Sequence, residues 1–304
     1  MTNRDMHLKS EIRELTPLDP DFPKRLRNIP RCPRTIYVRG SLPKDDVPSA
    51  AIIGARDATP YGLDIARSLG SALAGQGIQI ISGMAYGIDA AGQWGAVDAG
   101  AETFAVFGCG LDICYPESNF RLYDKLLCLG GGAISEHPLE SPPLPSHFAS
   151  RNRIIAGLAD VVLVIEAKER SGTFITVGNA LEQGKEVLAV PGRINDRLSR
   201  GCNELIRQGA GILTSVDDVL EVLNLKLQGE LLLPERKLEK LSRLQKKVYL
   251  ALAQDVRHMD EIIAATGLSV QRTAEVLVEL EMMDYIESPR VGYYRQKLSS
   301  GLAK

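Results

Sequence analysis

Four glycine-containing loops in this sequence follow short apolar runs, and their residue types suit the binding of an anion. They are "GARDATPYG" (54–62), "SGMAYGID" (82–89), "GCGLDICYP" (108–116) and "EAKERSGTFIT" (166–176). Backbone N–H groups at strand ends and helix N-termini attract phosphate, and glycine allows a ligand to come close to them. One such loop is equally well explained by a tight turn, but four together favour a single phosphate-binding edge.

Arginine side chains add fixed positive charge to this edge. Arg56 lies two residues after Gly54, where its guanidinium can bind a phosphate through two hydrogen bonds. The segment "FASRNRIIAGLAD" (148–160) places Arg151, Asn152 and Arg153 before an apolar helix, with no carboxylate close on the N-terminal side. A surface salt-bridge cluster is the alternative explanation of such a run. Unpaired cations beside glycine loops instead predict an anionic partner.

Familiar enzyme patterns are poorly matched. The sequence contains no G-x-x-x-x-G-K-[ST] motif, and "GCGLDI" lacks the third glycine of the dinucleotide-binding pattern. The four histidines show no metal-ligand spacing, and Cys109 has no histidine close in sequence to act as its base. Asp89, Asp112 and Glu136 follow predicted strands, where capping or hydrogen bonding is favoured over acid–base catalysis. We therefore expect no metal and no cofactor.

The elements that hold these loops are predicted to form one parallel sheet. Most of the 28 glycines lie between residues 50 and 213, where they separate apolar runs such as "AAIIGA", "IQIIS", "TFAVFG" and "DVVLVIEA". Such runs are typical of strands covered on both faces, and helical patterns lie between most of them. The predicted fold class is α/β, an extended Rossmann-like, doubly wound, mostly parallel sheet. In such sheets ligands bind at the carboxyl ends of the strands, which brings the four loops together.

Different patterns flank the sheet. The first segment is rich in proline and is predicted to be extended, with a short strand at "TIYVRG". Far downstream, "NLKLQGELLLPERKLEK" indicates a linker, and two helices, a turn at Gly267, a third helix and a hairpin predict a small C-terminal winged helix. The predicted domains are a lead-in (1–49), a Rossmann-like domain (50–222), a linker (223–240) and a winged-helix domain (241–297).

The helix with which a winged helix commonly binds DNA is predicted at about residues 270–282. It carries Arg272, but also Glu275, Glu279 and Glu281, which repel phosphate. Protein contact or simple packing is therefore favoured for this domain. A transcriptional regulator that reads duplex DNA is the alternative, and a tenfold preference for one duplex sequence would support it.

Bulk composition predicts a cytoplasmic protein. No apolar stretch reaches the roughly 18 residues of a membrane helix, so no membrane partner is expected. The 5 cysteines form no C-x-x-C pair, which argues against disulfides and zinc. A formal net charge of -2 excludes a polycation but is compatible with one local basic groove.

Taken together, the motifs resemble the bacterial DNA-processing A family (DprA, also called Smf). The resemblance covers about residues 15–219 in the family's order and also includes "GGAISEHP", "EVLAVPG" and "SRGCNELIRQGA". The "RNRIIAGL" and "SGTFIT" motifs are specific to this family. The tail that starts at "LSRLQKKVYLALA" resembles the winged-helix extension of many members. Little of the small N-terminal helical domain that relatives often carry is expected here.

This resemblance implies a non-catalytic protein that binds single-stranded DNA without strong sequence preference. It also implies that the protein protects incoming DNA in natural transformation and, as a homodimer, loads the RecA recombinase onto it. Arg56 and Arg153 correspond to the family's phosphate-binding residues, and alanine at either is expected to weaken binding roughly ten- to a hundredfold. The expected DNA-binding residues are Gly54, Arg56, Gly83, Met84, Gly87, Gly108, Gly110, Arg151, Asn152, Arg153, Lys168, Ser171, Gly172 and Thr173.

An enzyme is the alternative from another class. Nucleotide phosphoribohydrolases of the lysine-decarboxylase-like group have related sheets and carry a P-G-G-x-G-T-x-x-E motif that supplies a catalytic glutamate. The nearest stretch here is "RSGTFITVGNALE", in which Gly172 and Thr173 match the glycine–threonine pair, but Thr176 stands where the glutamate is required. The enzyme hypothesis therefore lacks its central residue.

Overall fold

The computed structural model describes residues 11–224, 241–252, 257–283 and 285–296. The chain divides into two compact units, residues 1–226 and residues 227–304. Most of the predicted linker falls outside the described residues, and the boundaries of the four predicted domains stay predictions.

The first unit is built on a nine-stranded sheet. Its strands are β1 (Ile12–Leu15), β2 (Ile36–Gly40), β3 (Ser49–Ile53), β4 (Gln79–Ser82), β5 (Thr103–Phe107), β6 (Gly132–Ser135), β7 (Val161–Val164), β8 (Glu186–Ala189) and β9 (Gly211–Ile212). In space they are ordered β1-β2-β6-β5-β4-β3-β7-β8-β9. The strands from β6 to β9 in this order pair in parallel, and the β1–β2 and β2–β6 pairs are antiparallel. The predicted mostly parallel α/β fold is confirmed.

Helices cover both faces of this sheet. They are α1 (Lys24–Arg27), α2 (Pro60–Gly75), α3 (Ile88–Asp98), α4 (Phe120–Cys128), α5 (Pro145–Leu158), α6 (Thr173–Glu182), α7 (Ser199–Arg207) and α8 (Val216–Val222). Alternate residues of one strand enter different cores: Ala51 and Ile53 of β3 pack with α5 and α6, whereas Ala50 and Ile52 pack with α2 and α8. This explains why strands β3 to β7 are buried throughout and apolar in sequence.

The proline-rich first segment contributes two strands to the sheet. The predicted strand at "TIYVRG" is β2, which pairs with β6 and carries the fully buried Ile36 and Val38. A further strand, β1, pairs with β2 from Ile12 to Leu15. Both strands run antiparallel to their neighbours, so the segment adds an antiparallel border to the parallel sheet.

The second unit has the order and topology of a winged helix. It comprises α9 (Arg243–Leu252), β10 (Arg257–His258), α10 (Met259–Thr266), α11 (Val270–Met282), β11 (Ile286–Arg290) and β12 (Tyr293–Gln296). Gly267 ends α10 in the left-handed conformation at φ +65°, and the Ser269 side chain caps α11 by accepting from the Arg272 N–H. The predicted winged helix is confirmed. Among all described residues, no helix is long and apolar enough to cross a lipid bilayer.

Candidate nucleic-acid interface

An open cavity of about 570 Å³ lies at the carboxyl ends of the central strands. The chain passes from β3 to its neighbour β4 on one side, while β7 pairs with β3 on the other side. The loops that follow β3 and β7 therefore diverge, and the crevice between them is the usual ligand site of an open α/β sheet. All four glycine loops and the arginine segment contribute residues to its wall.

The wall contains eight of the fourteen residues predicted from the sequence. These are Gly54, Arg56, Arg151, Asn152, Lys168, Ser171, Gly172 and Thr173. Three of them, Ser171 to Thr173, form the start of α6, which has no side-chain cap. The amides at a helix N-terminus and the helix dipole favour an anion, so this end of α6 suits a phosphate group.

Several polar side chains of the wall form no hydrogen bond or ion pair with a described residue. Arg56 is exposed, and Asn152 and Lys168 are half-buried. Within the described part of the chain, the side chains of these three residues form no hydrogen bond or ion pair. The Ser171 hydroxyl oxygen is buried and also lacks a described partner. The fold leaves these groups available to a ligand, and two of them are cations.

Two aromatic rings complete the wall. The Arg56 Cζ atom lies 5.4 Å from the ring centroid of Phe148, within the range of a cation–π interaction. The ring of Tyr115 stacks on the ring of Phe148, with a distance of 5.3 Å between their centroids and an interplanar angle of 28°. Both rings line the cavity. Sequence reasoning missed them, although both lie in the quoted motifs, because their sequence positions alone do not indicate that they meet.

Arg151 lies in the floor of the cavity and is committed to internal contacts. The residue is only 4% exposed, and its guanidinium donates to the backbone carbonyls of Gly83, at 2.9 Å, and Val106. Its Nε atom is buried without a described partner. Burial lowers the pKa of Arg151 to about 10, an effect that the nearby Asp89 carboxylate opposes. The side chain therefore stays charged at neutral pH and supplies positive potential from below.

The prediction that the arginine run lacks a carboxylate partner is wrong for Arg153, which pairs with Glu136. Its Nη2 atom lies 2.5 Å from Glu136 Oε1, and its side chain is 9% exposed. Arg153 does not line the cavity. Glu136 follows β6, so the fold brings it beside α5 although the two residues are 17 positions apart. The expectation that Arg153 contacts phosphate therefore conflicts with its buried ion pair.

Five other predicted residues support the wall from behind. Met84 is fully buried with φ +51°, and Gly87, at φ +73°, packs against the carbonyls of Ala55 and Arg56. A Cβ atom on Gly83 would overlap the Arg151 guanidinium, one on Gly108 the Phe148 ring, and one on Gly110 the Asp112 carboxylate. None of the five lines this cavity. The four glycines among them have no room for a side chain because neighbouring atoms occupy that space.

Carboxylates at the strand ends form hydrogen bonds, as predicted. Asp89 accepts from Gly83 N at 3.1 Å, and burial raises the pKa of its carboxyl group. Asp112 accepts from Glu140 N at 3.0 and 3.1 Å. Cys109 is a buried free thiol whose pKa burial raises to about 11, which agrees with a structural role and not with a nucleophile.

Glu166 is a buried carboxylate that sequence reasoning did not select. It is 4% exposed and follows β7. Its side chain accepts from Thr59 N at 2.9 Å and from Thr59 Oγ1 at 2.5 Å, at the start of α2. Its contact spans 107 positions of sequence, so only the tertiary structure reveals it.

Comparison with protein families gives two matches. The family described as DNA recombination-mediator protein A matches residues 13–224, and the DprA winged helix domain matches residues 233–289. The first match covers the nine-stranded sheet from Arg13 onward, and the second covers the three described helices of the second unit.

Individual relatives agree with these matches. The chain is 40% identical to DNA processing protein DprA of Streptococcus pneumoniae, over 71% of this chain and 77% of that protein. It is 36% identical to protein Smf of Escherichia coli, over 95% of this chain and 79% of that protein. A solved structure of DNA processing protein A from Helicobacter pylori, which concerns that protein's single-stranded DNA binding mode, superposes with a TM-score of 0.64. That superposition has 29% identity and covers 71% of this chain and 97% of the other.

Proposed function

This chain belongs to the DNA recombination-mediator protein A family, and from that membership we propose that it binds single-stranded DNA across the strand-end cavity. The observation that carries the proposal is the presence of cations without a described ionic partner beside two aromatic rings of the cavity wall. Arg56 and Lys168 supply charge for phosphates, while Tyr115 and Phe148 offer faces on which unstacked bases can lie. Duplex DNA keeps its bases paired and stacked, so it cannot use these faces.

The same wall predicts tolerance of base sequence. Guanidinium and ammonium groups, and the amides at the start of α6, contact phosphates, which are the same at every nucleotide. Stacking on an aromatic ring is also nearly independent of the base. We therefore expect affinity to depend strongly on salt and weakly on sequence.

We propose that the role is non-catalytic and serves DNA processing in recombination. The groups on the wall bind and orient a strand, and Thr176, which also lines the cavity, stands where the rival hydrolases need a glutamate. Protection of incoming DNA during natural transformation and loading of RecA are the cellular roles that we propose. They fit a protein that holds a strand by its backbone and leaves its sequence unread.

We further propose a homodimer formed through the sheet unit. The described sheet ends at β9, a short edge strand whose Ile212 is 53% exposed. An uncovered sheet edge with an exposed apolar side chain is a natural place for a second copy to pair. Light scattering at micromolar concentration should show a dimer for the wild-type chain and a monomer for Ile212→Glu. A wild-type monomer with DNA present would contradict this part of the proposal.

Fluorescence anisotropy with oligo-dT and a duplex of matched length, measured over a salt series, tests DNA binding directly. Single strands should bind at much lower concentrations than duplex, and log affinity should fall linearly with log salt. Arg67→Ala is a matched control for Arg56→Ala, because Arg67 is another partly exposed arginine of this unit. Its side chain pairs with Asp98 at 2.6 Å and does not line the cavity. Equal affinity for both DNA forms, or a flat salt response, would contradict the proposed function.

A further inference from the structure

We propose that Glu166 is a positioning residue for Arg56: it fixes the loop of residues 54–59 and does not bind DNA itself. The inference rests on the proposed function, because it explains how one of the proposed DNA contacts is held. The loop follows β3 and Glu166 follows β7, and these two strands are neighbours in the sheet. A side chain at the end of one strand can therefore reach the loop at the end of the other.

Two groups of Glu166 anchor the loop on either side of Arg56. Its backbone carbonyl accepts from Ala55 N at 2.7 Å, one residue before Arg56. Its carboxylate accepts from the backbone N–H and the hydroxyl of Thr59, three residues after Arg56. Arg56 thus lies between two anchored positions, while its own side chain has no hydrogen bond or ion pair with a described residue.

The fold provides a specific place for this carboxylate. A Cβ atom on Gly62, in the first turn of α2, would overlap all three atoms of the Glu166 carboxylate. Thr59 caps the same turn by accepting from Gly62 N at 3.1 Å. A negative charge at a helix N-terminus is stabilised by the partial positive charge there. Gly62 therefore leaves the room, and α2 the favourable field, for this carboxylate.

Glu166 itself is unsuited to contact DNA. It is buried, it does not line the cavity, and its negative charge would repel phosphate. No salt bridge to a described cation compensates its charge, and burying such a charge costs free energy that the Thr59 hydrogen bonds only partly offset. Any effect of Glu166 on DNA affinity must therefore pass through the loop that it holds.

Strand β7 offers a matched control at its other end. Asp160 precedes β7 and holds the start of β3, since its carboxylate accepts from Ser49 N at 2.9 Å and from Ser49 Oγ at 3.0 Å. Both carboxylates thus connect the same two strands through hydrogen bonds to a hydroxyl residue. Only Glu166 does so at the end where the cavity lies.

A double-mutant cycle on the full chain tests the inference, with oligo-dT affinity and melting temperature measured for every variant. Glu166→Gln should weaken binding roughly three- to tenfold in the wild-type background, and less than twofold when Arg56 is already alanine. For Glu166→Gln, the plot of log affinity against log salt should become shallower by about 0.7, as expected for the loss of one phosphate contact to a single strand. Asp160→Asn should lower the melting temperature and leave affinity unchanged.

The possible results separate this inference from the proposed function. If Glu166→Gln and Arg56→Ala have additive effects on affinity, Glu166 acts through stability or another contact and the inference is wrong. If Arg56→Ala weakens binding but Glu166→Gln and Glu166→Ala do not, the inference alone is overturned. If Arg56→Ala leaves affinity unchanged, the proposed DNA site fails, and the positioning role fails with it. Should Glu166→Ala prove unfolded, Glu166→Gln still tests the inference, because glutamine keeps the volume of the side chain and one acceptor oxygen but loses the charge and the second acceptor oxygen.

Discussion

The strand-end cavity and helix α11 both occupy positions where their folds commonly bind nucleic acid, yet they differ in the charge that they leave free. At the cavity, Arg56 and Lys168 have no described ionic partner. On α11, Arg272 is paired with Glu275 at 2.6 Å. Architecture thus indicates where a ligand could bind, whereas unpaired charge decides which ligand is attracted.

The exposed surface of α11 is apolar and acidic. Val270, Val278 and Met282 are 63%, 54% and 83% exposed. Glu279 accepts a hydrogen bond from Gln245 of α9 at 2.8 Å and forms no salt bridge with a described cation. Because the helix offers no unpaired arginine and repels phosphate, we expect DNA affinity to reside in the sheet unit.

Arg56→Ala should weaken DNA binding more than any other substitution in the two regions. Loss of a charge-assisted hydrogen bond of about 1.5 to 3 kcal/mol should weaken oligo-dT binding roughly ten- to a hundredfold. The melting temperature should change little, since the side chain is exposed and makes no described hydrogen bond. Arg56→Lys should recover part of the affinity because it keeps the charge but not the planar fork. Anisotropy and thermal unfolding should be measured on the same samples. A fall in stability without a fall in affinity would contradict the prediction for Arg56→Ala.

Phe148→Ala should weaken binding about tenfold, because stacking a base on an aromatic ring is worth about 1 to 3 kcal/mol. Phe148→Leu is the control for packing, since it keeps apolar bulk next to Gly108 and Tyr115 but removes the flat face. Titrations with oligo-dT and with an abasic oligonucleotide of equal length should show that the loss depends on bases. An equal loss with the abasic strand would show that the ring only supports Arg56.

Arg153→Ala should change oligo-dT affinity less than about threefold but lower the free energy of unfolding by about 2 kcal/mol. The reason is that Glu136 loses the partner of its 2.5 Å ion pair while remaining three-quarters buried, at 24% exposure. Chemical denaturation measures the stability, and the anisotropy titration measures the affinity. A tenfold loss of affinity at wild-type stability would restore Arg153 to the DNA-binding set.

Glu279→Gln and Glu281→Gln, combined on α11, should have the smallest effect. If this helix stays away from DNA, neutralising two carboxylates there should change oligo-dT and duplex affinity less than twofold at 0.1 to 0.15 M salt, where the Debye length is about 8 to 10 Å. A tenfold rise in duplex affinity in these titrations would contradict the proposed difference between α11 and the strand-end cavity. Such a gain would mean that the carboxylates had been repelling DNA at close range.

The sequence alone predicted the parallel sheet, the winged helix and eight of the residues that line the cavity. These predictions worked because they depend on local patterns: strands covered on both faces need continuous apolar runs, and strand ends need glycine loops. Parallel strands then bring their carboxyl ends to one edge, so loops such as 54–62 and 166–176 meet without further information. The antiparallel border was predicted only in part, because β1 is a short strand whose pairing with β2 is not visible in its own four residues.

Only the tertiary structure decided which polar groups of the site are free. Arg56, Arg151 and Arg153 look alike in sequence, yet one is exposed beside Phe148, one is bonded to buried carbonyls, and one is paired with Glu136. The role of Glu166 was not predictable from the sequence either, because its partner Thr59 is 107 positions away. Hydrogen bonds and ion pairs act over a few ångströms in space, and a pattern along the chain does not encode which distant residue fills that space. The sequence thus determined the elements and the loops, and the packing of those elements determined which charges remain for a ligand.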